Sequence, residues 1–301
     1  MSALAQTPSM QTAGLDTASR LRPRISFWKR LSRHKVAMAS LVFLAFMGLA
    51  ALLAPYVSPY DPYAMSLPDS GKPPSLAHPL GTDRLGRDTL TRVFVGGRVS
   101  IAVALAAVAI SSGLGTVLGL IAGFRGGFVD AFIMRVTDVF MAFPLFVLLI
   151  VLVAMFGSSA KNVVLILGFF SWMGVARLVR GQVLSVMTEL YIEAAISSGA
   201  KSPQLLVKHV LPNSYVPIIV ASTLGVANAM LSEAALSFLG LGIQPPTPSW
   251  GNMLNAAQSL QVLVNEPWVW IGPGFAIALT VLSINFLGDG LRDALDPHAK
   301  G

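Results

Sequence analysis

The chain has 301 residues, of which 54% are hydrophobic and only 12% are charged. A soluble domain carries about 25% charged residues, so this shortage excludes a water-facing surface over most of the chain. The net charge of +7 does not indicate a nucleic-acid partner, because residues 1–35 alone hold seven Lys/Arg and one acid. The absence of cysteine excludes disulfides and thiolate metal sites.

Six stretches of the sequence are apolar enough to be membrane helices, which need about 20 mostly apolar residues each. They lie approximately at 36–57, 99–124, 131–160, 162–176, 213–239 and 267–288. The first stretch exceeds the roughly 7–15-residue apolar core of a signal peptide, and we expect it to be an uncleaved first helix. The expected fold is therefore all-α: a polytopic membrane protein with six transmembrane helices.

Basic residues predict the orientation of these spans. With the N-terminus in the cytoplasm, fifteen Lys/Arg fall on cytoplasmic segments and six on outer segments, as the positive-inside rule requires. Both termini are then cytoplasmic. Two outer loops are long: residues 58–97, and residues 241–266, where PPTPSW at 245–250 stiffens the backbone. We expect these loops to contact a partner or cover the mouth of a pathway, rather than merely to connect helices.

Motifs for catalysis or nucleotide binding are missing from the sequence. A Walker A loop needs GxxxxGK followed by Ser or Thr, and the single Gly-Lys pair, at 71–72, is followed by Pro73. No GxSxG turn or pair of catalytic carboxylates is visible, and the four histidines have no metal-binding spacing. We therefore expect no enzyme activity, no metal site and no cofactor on this chain. Any pumping must take its energy from another chain or from an ion gradient.

The segment 177–213 joins the fourth and fifth predicted spans on the cytoplasmic side. Its composition predicts two short helices joined at a bend near Ser202-Pro203, and the next span begins after Pro212. Small residues of the first helix would let another surface come very close; they are Ala194, Ala195 and Gly199. The spacing alone leaves two interpretations open. The segment is either a docking site that carries force from a soluble engine or an ordinary loop with helix-favouring alanines.

The same segment resembles the EAA loop of ABC importer permeases. The pattern of that loop is EAA, three residues, Gly, nine residues and then IxLP, and this chain has EAA at 193–195, Gly199 and LP at 211–212. Position 209 is His instead of Ile, and KHVLPN at 208–213 is similar to the variant of the peptide and nickel permeases. Three further stretches resemble the oligopeptide/dipeptide permease C type: 78–100, 233–254 and 288–297.

This resemblance implies a type I ABC importer in the bacterial inner membrane. Two homologous permeases, a heterodimer, would form one pathway, and two ABC ATPase subunits, which bind the ATP and magnesium, would dock on their EAA loops. A periplasmic or extracellular solute-binding protein would deliver dipeptides, oligopeptides, glutathione, nickel complexes or related small solutes. The coupling residues implied by the motif are Glu193, Ala194, Ala195, Gly199, Leu211 and Pro212.

The expected organisation has four parts. Residues 1–35 form a basic cytoplasmic tail, and residues 36–97 form the first helix with its outer loop. Residues 98–289 form the transmembrane core, which includes a cytoplasmic coupling loop at 181–213, and residues 290–301 form a cytoplasmic C-terminal tail.

Ionisable residues at membrane depth cost about 2.5–3.5 kcal/mol on insertion scales and are therefore functional candidates. Arg135 and Asp138 are three apart on one helix face, and we expect them to pair. Glu233 has no basic residue within four positions. We expect it to line the pathway or to pair structurally with another helix, with Arg98 as a candidate partner. The alternative function, an ion-coupled carrier working alone, would need several such carboxylates or an inverted repeat.

Overall fold

The computed structural model describes residues 27–295, so most of the predicted basic tail (1–26) and the end of the C-terminal tail (296–301) lie outside the described residues. Within 27–295 the regular structure is helical. The helices are α1 (Phe27–Leu31), α2 (Lys35–Val57), α3 (Thr89–Arg125), α4 (Gly127–Met141), α5 (Leu145–Phe156), α6 (Ala160–Phe170), α7 (Trp172–Met187), α8 (Leu190–Ser197), α9 (Ser202–Leu205), α10 (Leu211–Phe238), α11 (Trp250–Asn255), α12 (Leu260–Asn265) and α13 (Trp268–Leu295).

The membrane spans agree in number with the sequence prediction. In the part of the chain that the structure describes, five helical stretches are long and apolar enough to cross a membrane, and the bent pair α4–α5 makes a sixth if it is counted as one span. The other five are α2, α3, α6–α7, the stretch Leu206–Phe238 that includes α10, and α13. On that count the prediction of an all-α protein with six spans is confirmed.

The second span begins ten residues earlier than predicted, at Thr89. Asp88 caps this end of α3, because its carboxylate accepts hydrogen bonds from the backbone N–H and the hydroxyl of Thr91. Arg92, in the first turn, is buried and donates to the carbonyl oxygen of Pro62. The loop that follows α2 thus ends at Asp88 and packs over Arg92, which the sequence analysis had assigned to a loop outside the membrane.

The third predicted span is broken. The axes of α4 and α5 meet at 83°, and Pro144 stands at the start of α5. A proline disfavours helical backbone in the residue before it, which here is Phe143. The apolar run therefore contains a sharp bend that its hydropathy did not reveal.

Two arginines of α7 pair with two acids of α4. Arg177 Nη2 lies 2.7 Å from Asp138 Oδ1, and Arg180 donates to both carboxylate oxygens of Asp130. The predicted pairing of Asp138 with Arg135 is wrong, because the neighbouring helix presents a cation to Asp138 while Arg135 is exposed. With its arginines paired, the fourth span continues to Met187, beyond its predicted end.

Helix α3 is central and packs extensively against α7. Three glycines spaced four residues apart face α7: Gly115, Gly119 and Gly123. A Cβ atom on each would come within 2.5–2.7 Å of an α7 atom, so only glycine permits this approach. Small residues at this spacing bring membrane helices into close contact. Helix α13 packs against α2 and α10, and α10 packs against α3.

Candidate functional site

The predicted coupling segment contains one separate short helix, α8, after α7, and then α9, which is continuous with the helix that follows it. One side chain anchors α8: Ile192 is completely buried and packs with the buried valines of α7 and of the turn before α10. Those valines are Val179, Val183, Val186 and Val210. The anchor fixes α8 against α7, and it leaves the opposite face of α8 outside the core.

The remaining face of α8 is largely exposed. Glu193 and Ala194 are exposed and Ala195 is half-buried. Two large apolar side chains of the same helix also face outward, since Leu190 is 80% exposed and Ile196 is 49% exposed. Leu190 and Ile196 are six residues apart and lie on different sides of α8, where each is available for a contact with another protein or with a membrane.

Gly199 ends α8 in a left-handed conformation, with φ of +82°. Its N–H donates to the carbonyl of Ile196, and the N–H of Ala200 donates to the carbonyl of Ala195. These two bonds form a Schellman cap. A Cβ atom at Gly199 would meet no other atom of residues 27–295 within 4 Å. Within this chain the backbone conformation, and not space, is therefore what requires glycine.

A side-chain bridge joins α8 to the beginning of α10. Asn213 Nδ2 donates to the hydroxyl of Tyr191 at 3.1 Å and to the carbonyl of His209 at 2.6 Å. The rings of Tyr191 and His209 are 6.0 Å apart. The sequence analysis assigned no role to Asn213. Its position directly after the Leu-Pro pair of the motif could have indicated one.

Leu211 and Pro212 are exposed in the first turn of α10. The predicted helix end before Pro212 is wrong, because α9 continues through a π-helical turn, Leu206–Val210, into α10. Proline has no N–H and cannot make the usual helical bond, while the N–H of Leu211 bonds to the carbonyl of Leu206, five residues back. Leu211 and Pro212 therefore lie within one continuous helical segment that runs from α9 into α10.

A cavity of about 480 Å³ lies between α3, the bend of α4–α5, the α6–α7 span and α10. Its walls are mostly apolar and contain no ionisable side chain. The polar side chains in the lining are Ser111, Ser112, Ser171, Asn228 and Ser232. A lining of this kind offers hydrogen-bonding groups but no charge to a molecule in the cavity.

Glu233 is completely buried in α10 and lies outside the lining of this cavity. Its carboxylate accepts hydrogen bonds from Ser100 Oγ of α3 at 2.9 Å and from Ser237 Oγ at 2.7 Å. Ser100 Oγ also accepts a hydrogen bond from the backbone N–H of Trp250, and Ser237 Oγ accepts one from the backbone N–H of Ile243. The network thus fastens the hairpin that follows α10 (residues 241–255) to α3 and to α10 itself.

The contacts of Glu233 favour the structural role over a place in the pathway. Its partners are hydroxyl groups, whereas Arg98, the candidate partner named from the sequence, is exposed. Trp250 strengthens the same attachment, because its buried ring donates from Nε1 to the carbonyl of Val93 at 2.7 Å. The serines were not found from the sequence, since serine is common in apolar spans and carries no spacing signal of its own.

Comparison with known families agrees with these features. Residues 115–301 match the family described as "Binding-protein-dependent transport system inner membrane component". Residues 23–74 match the "N-terminal TM domain of oligopeptide transport permease C". The first match covers more than half of the chain. The chain belongs to this family, as an ABC importer permease of the oligopeptide permease C type.

Relatives that match this permease over most of its length support the same family assignment. It is 44% identical over 280 residues to the "Glutathione transport system permease protein GsiD" of Escherichia coli O6:K15:H31 (strain 536 / UPEC), which is 93% of this chain and 92% of that protein. The protein of the same name from Shigella boydii serotype 4 (strain Sb227) gives the same values. "Putative peptide permease protein BRA0407/BS1330_II0404" of Brucella suis biovar 1 (strain 1330) is 42% identical over 271 residues, 90% of each chain.

Membership of this family has consequences for location and partners. The permease is a multi-pass protein of the inner membrane, and its transport system includes partner ATPase and solute-binding proteins. The resemblance derived from the EAA spacing and the permease C motifs is thereby confirmed.

Proposed function

We propose that the permease forms half of the translocation pathway of an ATP-driven importer for dipeptides, oligopeptides or related small solutes such as glutathione. A homologous permease supplies the other half, so that the two form a heterodimer. The names of the relatives, which specify glutathione and peptides, support this solute class. The uncharged lining of the cavity also suits solutes whose side chains vary.

The exposed face of α8 is the observation that carries the coupling part of the proposal. Two ATPase subunits, which bind the ATP and magnesium, dock on α8 of the two permeases. Helix α8 packs on α7 through Ile192 and is bridged to α10 by Asn213, and both α7 and α10 line the cavity. A displacement of α8 would therefore be transmitted through packed side chains to two walls of the pathway.

The proposed orientation places both termini and α8 in the cytoplasm. The fifteen-to-six division of Lys/Arg supports it. The loop of residues 58–88 and the hairpin after α10 then face outward, where the solute-binding protein docks.

The competing function is an ion-coupled carrier that works alone. Such a carrier would need carboxylates that face its pathway. Glu233 is bound to serines outside the cavity, and Asp138 is paired with Arg177. Both contacts argue against this alternative.

Cysteine labelling and cross-linking test the proposal directly, because the chain has no cysteine of its own. In intact cells an impermeant thiol reagent should label Ser70→Cys of the outer loop and should not label Ser198→Cys at the end of α8. In the assembled transporter, Ser198→Cys should cross-link to an ATPase subunit and Ser70→Cys should not. Labelling of Ser198→Cys from outside would refute the orientation, and cross-linking at neither position would refute the docking of the ATPase on α8.

A further inference from the structure

A small pocket rich in arginine lies between the outer loop and the hairpin that follows α10. Its volume is about 140 Å³. The charged and polar side chains in its lining are Asp83, Arg84, Arg87, Thr89, Arg92 and Asn252. Neither the EAA motif nor the cavity between the membrane helices includes this site.

The acids near the pocket do not balance its arginines. Asp83 Oδ2 lies 2.7 Å from Arg87 Nε and 3.7 Å from Arg92 Nε. Arg84 Nε lies 3.4 Å from Glu266 Oε1. Among residues 27–295, two carboxylates thus face three guanidinium groups, and each guanidinium group has five N–H donors. The pocket therefore keeps an excess positive charge and donors for a further acceptor.

Two buried oxygens beside the pocket have no hydrogen-bond partner among residues 27–295: the Thr89 hydroxyl and Glu266 Oε2. Thr89 lines the pocket and is 1% exposed. Buried polar atoms without a partner are rare in native structures. A hydroxyl in the wall of an arginine-rich pocket can donate to a carboxylate oxygen, which is also the acceptor that arginine binds most strongly.

The size of the pocket limits what can enter. A cavity of roughly 150 Å³ holds a group of the size of benzene, so this pocket admits one side chain and excludes a peptide or a folded segment. Aspartate and glutamate combine that size with the required charge. We propose that the pocket receives one carboxylate side chain of the solute-binding protein when that protein docks on the outer face.

This inference rests on the proposed function and orientation, and it assigns roles to individual residues. Arg84 is 43% exposed, whereas the Arg92 side chain is 5% exposed. Arg84 therefore meets the incoming carboxylate at the mouth, and Thr89 and Arg92 bind it inside. The contact aligns the binding protein with the outer hairpin, which also forms part of the pocket wall through Asn252.

Arg84→Ala tests the entrance of the pocket. The complete transporter, with partner permease and ATPases, is reconstituted in liposomes, and ATP hydrolysis is measured against the concentration of loaded binding protein. The half-saturating concentration should rise about tenfold, which corresponds to about 1.4 kcal/mol, while basal hydrolysis stays unchanged. Lys72→Ala is the matched control, because Lys72 is an exposed cation of the same loop that pairs with Asp69 outside the pocket. It should leave the half-saturating concentration unchanged.

Thr89→Val tests the interior with little change of shape. If the hydroxyl binds the carboxylate, its loss should raise the half-saturating concentration several-fold. The melting temperature of the transporter without binding protein should not fall, because a buried hydroxyl without a partner adds nothing to the fold. A lower melting temperature with an unchanged half-saturating concentration would give Thr89 a purely structural role and overturn the proposal.

The outcomes separate this inference from the function on which it rests. Failure of the wild-type transporter to respond to loaded binding protein refutes the importer function and, with it, this pocket. If the wild type responds and both variants keep its half-saturating concentration, the pocket alone is refuted. If the variants change only the dependence of ATP hydrolysis on the concentration of free solute, the pocket binds a carboxylate of the solute. That result would equally refute docking of the binding protein at this pocket.

Discussion

The outer hairpin (residues 241–255) and helix α8 are both short segments beside α10, but different contacts attach them to the membrane helices. The hairpin is fastened by a buried polar network in which the Glu233 carboxylate and the Trp250 ring make the central bonds. Helix α8 has one buried side chain, Ile192, and one hydrogen-bonded bridge, through Asn213. The hairpin is thus held by buried polar contacts, and α8 is held along one edge.

This difference suits the roles proposed for the two segments. A buried and satisfied polar network specifies one geometry and is costly to open, which suits a surface that a partner must find in a fixed shape. A segment with few buried contacts opens at lower cost, and it leaves a face free for another protein to grip. We therefore expect substitutions at the outer network to change stability, and substitutions at α8 to change coupling.

Gly199→Arg should have the largest effect, a complete loss of uptake. A side chain at φ of +82° costs about 1 kcal/mol or more in backbone strain, and the arginine would project into the proposed ATPase contact. Membrane insertion should remain normal, because the residue lies outside every span. Uptake, bound ATPase and solute-stimulated hydrolysis in liposomes measure the outcome.

Gly240→Arg is the matched control for that variant. Gly240 ends α10 with φ of +77° and the same pair of capping hydrogen bonds as Gly199, and the described residues leave open space around it. It lies outside the EAA segment, so this variant should keep its bound ATPase. Normal uptake and normal stimulated hydrolysis in Gly199→Arg would contradict the role of α8 in coupling.

Ile192→Ala should detach α8 from α7. Replacing a buried isoleucine by alanine costs about 2–5 kcal/mol, and here most of the cost should appear as local opening of residues 188–201. Amide hydrogen exchange or limited proteolysis of this segment should speed up, and uptake should fall. Ile196→Ala, the same change at an exposed position of α8, should leave the exchange rate unchanged. Equal exchange in the two variants would show that Ile192 is not the anchor.

Glu233→Gln should lower stability and leave transport by each assembled complex unchanged. The amide replaces one of the two oxygens that bind serine hydroxyls, and such a loss in a buried site costs about 1–3 kcal/mol. The melting temperature and the yield of assembled transporter report the effect, with the exposed acid variant Glu189→Gln as control. Altered transport at unchanged stability would instead place Glu233 in the pathway, and no change in either would exclude both roles.

Asn213→Ala should have the smallest effect, a partial loss of coupling. It removes a hydrogen-bonded bridge, and one such bond contributes about 0.5–1.5 kcal/mol. Solute-stimulated hydrolysis should fall several-fold while basal hydrolysis stays unchanged. Tyr191→Phe removes only the hydroxyl end of the bridge and should add little to Asn213→Ala in the double variant. Fully additive losses would show that the two residues act separately.

The sequence by itself determined the class of this protein and its family. Long apolar runs can be stable only in lipid, so the number of spans followed from composition and length. The EAA spacing and the permease C motifs identified the family, because they are local patterns that the chain carries in order. The glycine at the end of α8 was also predictable, since a helix end of this kind favours a residue that accepts positive φ.

Tertiary structure alone decided which side chains meet. Asp138 pairs with Arg177 instead of with its neighbour Arg135, and Glu233 is satisfied by Ser100, 133 positions away in the sequence. The early start of α3 and the arginine-rich pocket likewise depend on how the outer loop and the hairpin fold together. Local spacing determines the face of a helix on which a residue lies. The partner on that face depends on how separate helices pack, which involves every contact between them at once.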